Sequence, residues 1–345
     1  MLNLQSIGDF VMGPRIALSF LVTILWASAS WGAETTQLSF AHNGGPGSLY
    51  ERSADEFVRR LQEALPAHFT VVAHGDSKLG DDTAVLAKVR QGEITFGLPS
   101  TVMSSMSETF GIFELPFLIR DRDQVRRISE TMLGPILQPE AKKHGFHILA
   151  VWENGFRQIT NNVRPIRRPE DLRGLKLRVP KGLWWEKAFR ILGAEPVPMA
   201  LHEVHKGLQS GLVDGQENPL AQIHGAKFQE VQQYLTLSDH LYTPAYLIVS
   251  DEHFAKLPRD VQQVIERTAK EMQGWIYATA IRMESDLIDK LGERMQSNQV
   301  DLKAFVEASR PLYGEFVRTV PGGAKLVNLV NELAESASAS AVPAQ

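Results

Sequence analysis

GLKLRVP (174–180) and LVDGQENP (212–219) are the two stretches that decide the fold of this 345-residue chain. In the first, leucine and valine alternate with Lys176 and Arg178, which predicts a strand that buries its apolar face and points Arg178 the other way. Pro180 ends that strand. Ligands of open α/β sheets bind beyond the carboxyl ends of the strands, so we expect Arg178 at a crevice. Its planar fork of donors suits a carboxylate.

The amino-terminal stretch has the features of a secretory signal. The uncharged run IALSFLVTILW (16–26) follows Arg15 and precedes Ala-Ser-Ala at 27–29. This run is shorter than the roughly 20 residues that a membrane-spanning helix needs, and the small residues supply a cleavage site. We therefore predict a signal peptide over residues 1–29 and export to the periplasm, with Met12 as an alternative start.

Composition excludes several classes of function. The net charge of −4 gives no basic face for nucleic acid or anionic lipid, so any bound anion must be held by a few local cations. The chain has no cysteine, which excludes disulfides, thiolate metal sites, a cysteine nucleophile and a lipid anchor on cysteine. The length exceeds one usual core, so we expect two lobes.

Strand and helix signals alternate along the chain. This βαβ order predicts an α/β fold with a mostly parallel sheet. We interpret the passage around 243–248 as a hinge that crosses back to the first lobe. Apolar residues recur at three and four between 258 and 297, which predicts one long helix lying across both lobes. The small polar tail over 335–345 is predicted to be disordered.

Several motifs together cover most of the exported chain. They include SKLGDDTAVLAKVRQGEI (77–94), ELPFLIRDRDQ (114–124), GFRQITN (155–161), DLRGLKLRVP (171–180), LGAEPVPMALHEVHKGLQSGLVDGQENP (192–219) and KFQEVQQYLTLSDHLYTP (227–244). In these motifs the chain resembles a known family, the solute receptors of tripartite ATP-independent periplasmic (TRAP) transporters of the DctP type.

The resemblance implies a two-lobed periplasmic binding protein fold of type II-like topology, with hinge strands and a long helix that spans both lobes. We expect lobe I to comprise residues 34–154 plus 245–283. Lobe II is expected to comprise residues 155–244 plus 284–334.

The resemblance also implies a function. Such a protein closes on a small organic acid and delivers it to a membrane permease with one small and one large subunit; it is not an enzyme and needs no cofactor. By this resemblance we expect Arg178 to make a two-pronged salt bridge to the ligand carboxylate, with Arg157 assisting it and Asn218 completing the clamp. Some members of the family hold a cation between the ligand and an acidic residue of the Gln-Glu-Asn-Pro step. Gln216 and Glu217 keep that possibility open here, and Glu217 is a further ligand-binding candidate. We expect a monomer without a metal site.

Other ligand-binding candidates come from position in the sequence. Asn43 follows the first predicted strand in a glycine-rich turn. His42 and Lys78 lie on loops at the same predicted rim, and Lys181 directly follows the LRVP step. Of the tryptophan pair that opens the next helix, we place Trp184 on the ligand side.

Alternatives remain open at this stage. An exported enzyme acting on a carboxylate would need a general acid or base near the arginines, and Glu217 is the nearby acid in the sequence. A sensory module that presents its ligand to a membrane receptor fits the same residues. A dicarboxylate, a sugar acid, a keto acid or an aromatic acid would each fit one anchored carboxylate. Pro99 replaces the acidic residue of the family's sialate binders, which disfavours sialate.

Overall fold

The computed structural model describes residues 35–340, and the predicted signal peptide lies outside this range, as do residues 341–345. Within it the strands are β1 (Thr36–Ala41), β2 (Phe69–His74), β3 (Phe96–Gly97), β4 (Phe146–Asn161), β5 (Lys176–Val179), β6 (Glu195–Pro198), β7 (Gly215–Pro219), β8 (Tyr234–Leu237), β9 (Tyr242–Ser250) and β10 (Gln296–Gln299). The α-helices are α1 (Leu49–Ala64), α2 (Asp82–Gln91), α3 (Arg122–Met132), α4 (Gln138–Lys143), α5 (Leu183–Ile191), α6 (Leu201–Gln209), α7 (Leu220–Gly225), α8 (Asp251–Ala255), α9 (Arg259–Gly292), α10 (Leu302–Thr319) and α11 (Gly323–Ser340).

Local capping signals set several helix starts. Ser48 accepts a hydrogen bond from the backbone N–H of Glu51, and Asp81 and Asp121 do the same at the starts of α2 and α3. Such caps satisfy N–H groups that have no partner inside the helix. Gly92, with φ of +78°, ends α2 in the left-handed conformation that glycine adopts without strain.

The strands form two sheets that share β4. The order runs β2-β1-β3-β9-β4-β7-β5-β6, with β8 pairing with both β4 and β10. The outer pairs β1/β2, β1/β3, β5/β6 and β5/β7 are parallel, as the βαβ pattern predicts, whereas β4 pairs antiparallel with β7, β8 and β9.

Strand β4 has 16 residues and is longer than the roughly 3–10 residues usual in globular proteins. It runs unbroken from one sheet into the other, because a register shift between Glu153 and Gly155 re-aims the chain. Gly155 has φ of +126°, and a Cβ there would lie 3.3 Å from the Pro219 side chain. A glycine meets both demands. The register shift lies two residues before Arg157 and therefore helps to set the position of the Arg157 side chain.

The long helix is confirmed as α9, which contacts α1, α7 and β4. Its buried stripe includes Ile265, Met272 and Leu287, and the indole N–H of Trp152 donates to the Ala269 carbonyl at 3.0 Å. Helix α9 therefore joins elements of both sheets in one apolar core. None of the helices between residues 35 and 340 has the length and apolar character needed to cross a bilayer.

The carboxyl-terminal end of the described chain is formed by helix α11. Helix α11 packs against α3, where the Gln124 and Arg127 side chains donate to backbone carbonyls of Val330 and Leu333. This places α11 beside an element of the predicted lobe I, although residues 284–334 are predicted to belong to lobe II. The helix also continues to Ser340, into the stretch predicted to be disordered from residue 335. The lobe boundaries themselves stay a prediction, because the described residues pack together as one compact unit.

Candidate functional site

A cavity of about 60 Å³ lies where the ends of β1, β5 and β7 meet the amino terminus of α2. It brings together five of the nine predicted site residues, namely Asn43, Arg157, Arg178, Lys181 and Asn218. The remaining lining residues are Tyr50, Ser77, Asp81, Asp82, Thr83, Ser100, Thr101, Val102, Asn154, Pro180, Met199, Ala200, Leu201 and Gln222.

Arg178 is a buried cation without an ion pair among the described residues. Its side chain is 3 % exposed, and Nε and Nη2 both donate to the Met199 carbonyl, at 2.9 and 2.6 Å. Burial lowers the pKa of Arg178 to about 9; the nearby charge of Glu217 opposes this effect and that of Arg157 adds to it. The carbonyl holds one edge of the guanidinium and leaves Nη1 for the cavity. The site therefore presents a fixed positive charge that lacks its counter-ion.

Arg157, in contrast, is paired internally. Its Nε donates to Glu217 Oε2 at 2.5 Å, and Nη2 donates to Glu217 Oε1 at 2.9 Å and to Asn218 Oδ1 at 3.2 Å. The guanidinium also lies over the Trp185 ring, 5.1 Å from its centroid. Arg157 is 1 % exposed and lines the cavity with a side chain whose orientation is already set. Arg157 is therefore held in place before any ligand arrives.

Glu217 lies behind the arginines and not in the cavity lining. Burial on its own would raise the pKa of Glu217, but the charge of Arg157 and hydrogen bonds from His240 and Arg157 outweigh it and lower the pKa to about 2. Glu217 also accepts from the Trp185 indole N–H at 2.9 Å. With these partners Glu217 holds Arg157 in place. Its surroundings support neither a role in binding a cation nor a role as a general base.

Asn218 is oriented by a chain of buried amides. Its Nδ2 donates to Gln216 Oε1 at 2.6 Å, and Gln216 Nε2 donates in turn to the Thr160 hydroxyl at 2.9 Å. Asn218 lies in strand β7, not in the following helix, which begins after Pro219. Because β7 pairs with β4, the strand register brings Asn218 and Arg157 to the same end of the cavity.

The facing wall carries carboxylates. Asn43 Nδ2 donates to Asp82 Oδ2 at 3.0 Å, at the start of α2. Burial raises the pKa of Asp82 to about 7; the charge of Asp81 adds to the rise and that of Arg178 opposes it. Lys181 Nζ lies 3.8 Å from Asp81 Oδ2, an exposed pair that contributes little stability.

Four predicted ligand-binding residues lie outside the cavity lining. His42 is buried behind the wall against Tyr50, and burial lowers its pKa to about 4. Lys78 is exposed on its loop. Trp184 packs on Phe316 with ring centroids 4.9 Å apart, because α5 turns it into the apolar core. Glu217, described above, is the fourth.

Several cavity residues escaped the sequence prediction. Asp82 lies within GDSKLGDD, where two adjacent aspartates at a helix start look like capping residues. Asn154 directly precedes the GFRQ step, and Gln222 lies one helical turn beyond the QENP step. Proximity to those motifs was the available signal, but strand pairing, not sequence distance, decides which side chains face the cavity. Among residues 35–340, no group of three or more histidine or acidic side chains is arranged to hold a metal ion.

Fold and cavity together define a class of protein: α/β binding proteins that hold a small anion between two sheets joined by crossing strands. The model of the family DctP, bacterial extracellular solute-binding protein family 7, matches residues 40–319. This chain belongs to that family, which confirms the resemblance stated above.

Known proteins similar to this chain support the same class. The chain is 31% identical over 336 residues to the 2,3-diketo-L-gulonate-binding periplasmic protein of Escherichia coli (strain K12), covering 96% of this chain and 100% of that protein. The galactonate complex of the sugar acid binding protein DctPAm of Advenella mimigardefordensis strain DPN7T is similar, with 28% identity, a TM-score of 0.82 and coverage of 88% of this chain and 99% of that chain.

A third similar protein is the TRAP periplasmic solute-binding protein of Sulfurospirillum deleyianum DSM 6946, solved with bound succinate. It is 28% identical to this chain with a TM-score of 0.83, covering 87% of this chain and 100% of that chain. These structures confirm the predicted two-lobed α/β fold class.

Proposed function

We propose that this protein is the periplasmic solute receptor of a TRAP transporter, and that it binds a small organic acid through Arg178. The observation that carries the proposal is the buried guanidinium that faces a cavity without a carboxylate partner in the described chain. A buried charge without a counter-ion destabilises the folded protein unless a ligand of opposite charge pairs with it. Arg157 and Asn218 lie beside it as pre-oriented partners for the same acid group.

Delivery to a membrane permease with a small and a large subunit is part of this proposal, as are export through the predicted signal peptide and a monomeric receptor. Family membership supports export and delivery to a permease. Co-purification of the protein with a permease from the same genome, dependent on a bound acid, tests the partnership.

An enzyme acting on a carboxylate is the second candidate, and one observation favours it. Asp82 lines the cavity with its pKa raised by burial to about 7, a value suited to general-base chemistry. A binding protein returns its ligand unchanged. Recovery of the intact acid after long incubation with the protein separates the two functions by NMR.

We expect a thermal-shift panel of organic acids to contain at least one that raises the melting temperature, because a ligand that binds the native state alone stabilises it by mass action. At a ligand concentration of 100 times the dissociation constant, the stabilisation is about 2.7 kcal/mol. The amide of the same acid serves as control, since it keeps the shape and lacks the charge. Equal shifts from acid and amide, or none from any acid, would refute the function.

A further inference from the structure

Three residues that line the cavity each carry a buried amide carbonyl oxygen that has no hydrogen-bond partner among the described residues. The oxygens are Asn43 Oδ1, Asn154 Oδ1 and Gln222 Oε1. Asn154 is 6 % exposed and Gln222 is 3 % exposed. Buried polar atoms are almost always paired in native proteins, so three unpaired acceptors on residues that line one cavity require an explanation.

In Asn43 and Asn154, the hydrogen bonds of the side-chain NH2 group show that the carbonyl oxygen is the atom left unpaired. Ser100 Oγ donates to the Pro244 carbonyl at 2.7 Å, so toward Asn154 it acts as an acceptor, and Asn154 Nδ2 donates to it at 3.4 Å. Asn43 Nδ2 is likewise engaged by the Asp82 carboxylate at 3.0 Å. The carbonyl oxygens, and not the amino groups, are therefore left for a ligand.

These oxygens need hydrogen-bond donors. Arg178 can bind the carboxylate of any organic acid, whereas the unpaired oxygens favour an acid whose remaining groups are hydrogen-bond donors. A methylene chain or an aromatic ring has no donor and would leave the carbonyls desolvated and unpaired. A second carboxylate has only acceptors, and it would also approach Asp81 and Asp82 on the same wall. Lys181, the cation on that side, already lies beside Asp81. A hydroxyl group supplies the missing donor at no charge cost.

We propose that the cavity selects a polyhydroxylated monocarboxylate of the aldonate kind, whose hydroxyl groups donate to the carbonyls of Asn43, Asn154 and Gln222. This inference rests on the proposed function, since Arg178 binds the acid group and the three amides accept hydrogen bonds from the hydroxyl groups of the same ligand. It excludes a dicarboxylate or a simple fatty acid as the preferred ligand.

Calorimetry with the purified protein tests the selection. The probes are aldonates of four to six carbons, including gluconate and galactonate in both enantiomers, against succinate, adipate and hexanoate. We expect at least one aldonate to bind about 100-fold or more tightly than every probe without hydroxyl groups, because buried polar groups built for a hydroxyl reject analogues that lack it. If succinate, adipate or hexanoate binds as tightly as the best aldonate, the inference fails while the proposed function stands. If no acid binds, the proposed function fails first.

Leucine substitutions then test whether the amides of Asn154 and Gln222 cause the preference for hydroxylated acids. Asn154→Leu and Gln222→Leu each keep a similar volume and remove the acceptor, so each is expected to weaken binding of the best aldonate by about tenfold. Binding of hexanoate should not weaken. Gln229→Leu is the matched control, because Gln229 Oε1 is also unpaired but lies outside the cavity lining. Unchanged aldonate affinity in a folded Asn154→Leu or Gln222→Leu protein overturns the inference, and if neither variant folds, the probe panel decides.

Discussion

Arg178→Ala is expected to weaken binding of the cognate acid by about 30-fold to several thousand-fold. Truncating one partner of a buried, hydrogen-bonded charge pair costs about 2–5 kcal/mol, and the ligand carboxylate would be left without its counter-charge. Arg178→Lys should fail almost as badly, since a point charge cannot hold the Met199 carbonyl and a carboxylate in one plane. Calorimetry with the best-binding acid measures both variants.

The same substitution should leave the free protein at least as stable. Burial lowers the pKa of Arg178, which means that the folded state without ligand disfavours its charge. We therefore expect Arg178→Ala to unfold at the same temperature as the wild type or higher in the absence of ligand. Lys176→Ala is the matched control, because Lys176 is an exposed cation on the same strand. A variant that binds normally, or a control that loses binding equally, contradicts the assigned role.

Glu217→Gln is expected to cost about 3–5 kcal/mol of the free energy of unfolding at pH 7. Removing the charge of one partner leaves Arg157 buried at 1 % exposure without compensation. Glutamine keeps only one of the two side-chain oxygens, so Trp185 at Oε1 or His240 at Oε2 also loses its acceptor, and the loss reports the charge together with that hydrogen bond. Urea unfolding measures it. Glu63→Gln is the control, because its pair with Arg59 is exposed and should leave stability unchanged.

The pH dependence gives a second readout of the same pair. The pKa of Glu217 is about 2 in the folded protein against an ordinary 4.5, so the unfolded chain binds more protons between these values. The stability that the pair contributes is therefore complete above about pH 4.5 and is lost as the pH falls toward 2. Glu217→Gln should lack this part of the acid-induced loss. A variant as stable as the wild type at pH 7, with the same acid profile, would refute the structural role of Glu217.

Sequence reasoning succeeded where the cause of structure is local. The alternation of apolar residues with Lys176 and Arg178 in 174–180 predicts the strand that carries Arg178. The helix caps are equally local, because Ser48, Asp81 and Asp121 accept from backbone N–H groups three positions away. The proline-free apolar period likewise predicted α9. Such signals are contained in a few neighbouring residues, so they can be recognised without the fold.

Sequence reasoning failed where strand pairing decides. The ion pair of Arg157 with Glu217, which fixes the orientation of Arg157 in the cavity lining, depends on the register of β4 against β7 and joins residues sixty positions apart. Trp184 turns into the core because the packing of α5 against α10 selects its face. The unpaired carbonyls of Asn154 and Gln222 become visible only once every neighbouring donor has been placed. These properties depend on residues far apart in the sequence, so a short motif cannot predict them.

A crystal structure of the protein with its best-binding acid tests the central claim most directly. The structure is expected to show the ligand carboxylate within hydrogen-bonding distance of the Arg178 guanidinium, with Arg157 still paired to Glu217 and Asn218 beside the acid group. An acid group bound elsewhere in the cavity, with Arg178 contacting only the Met199 carbonyl, would contradict the claim.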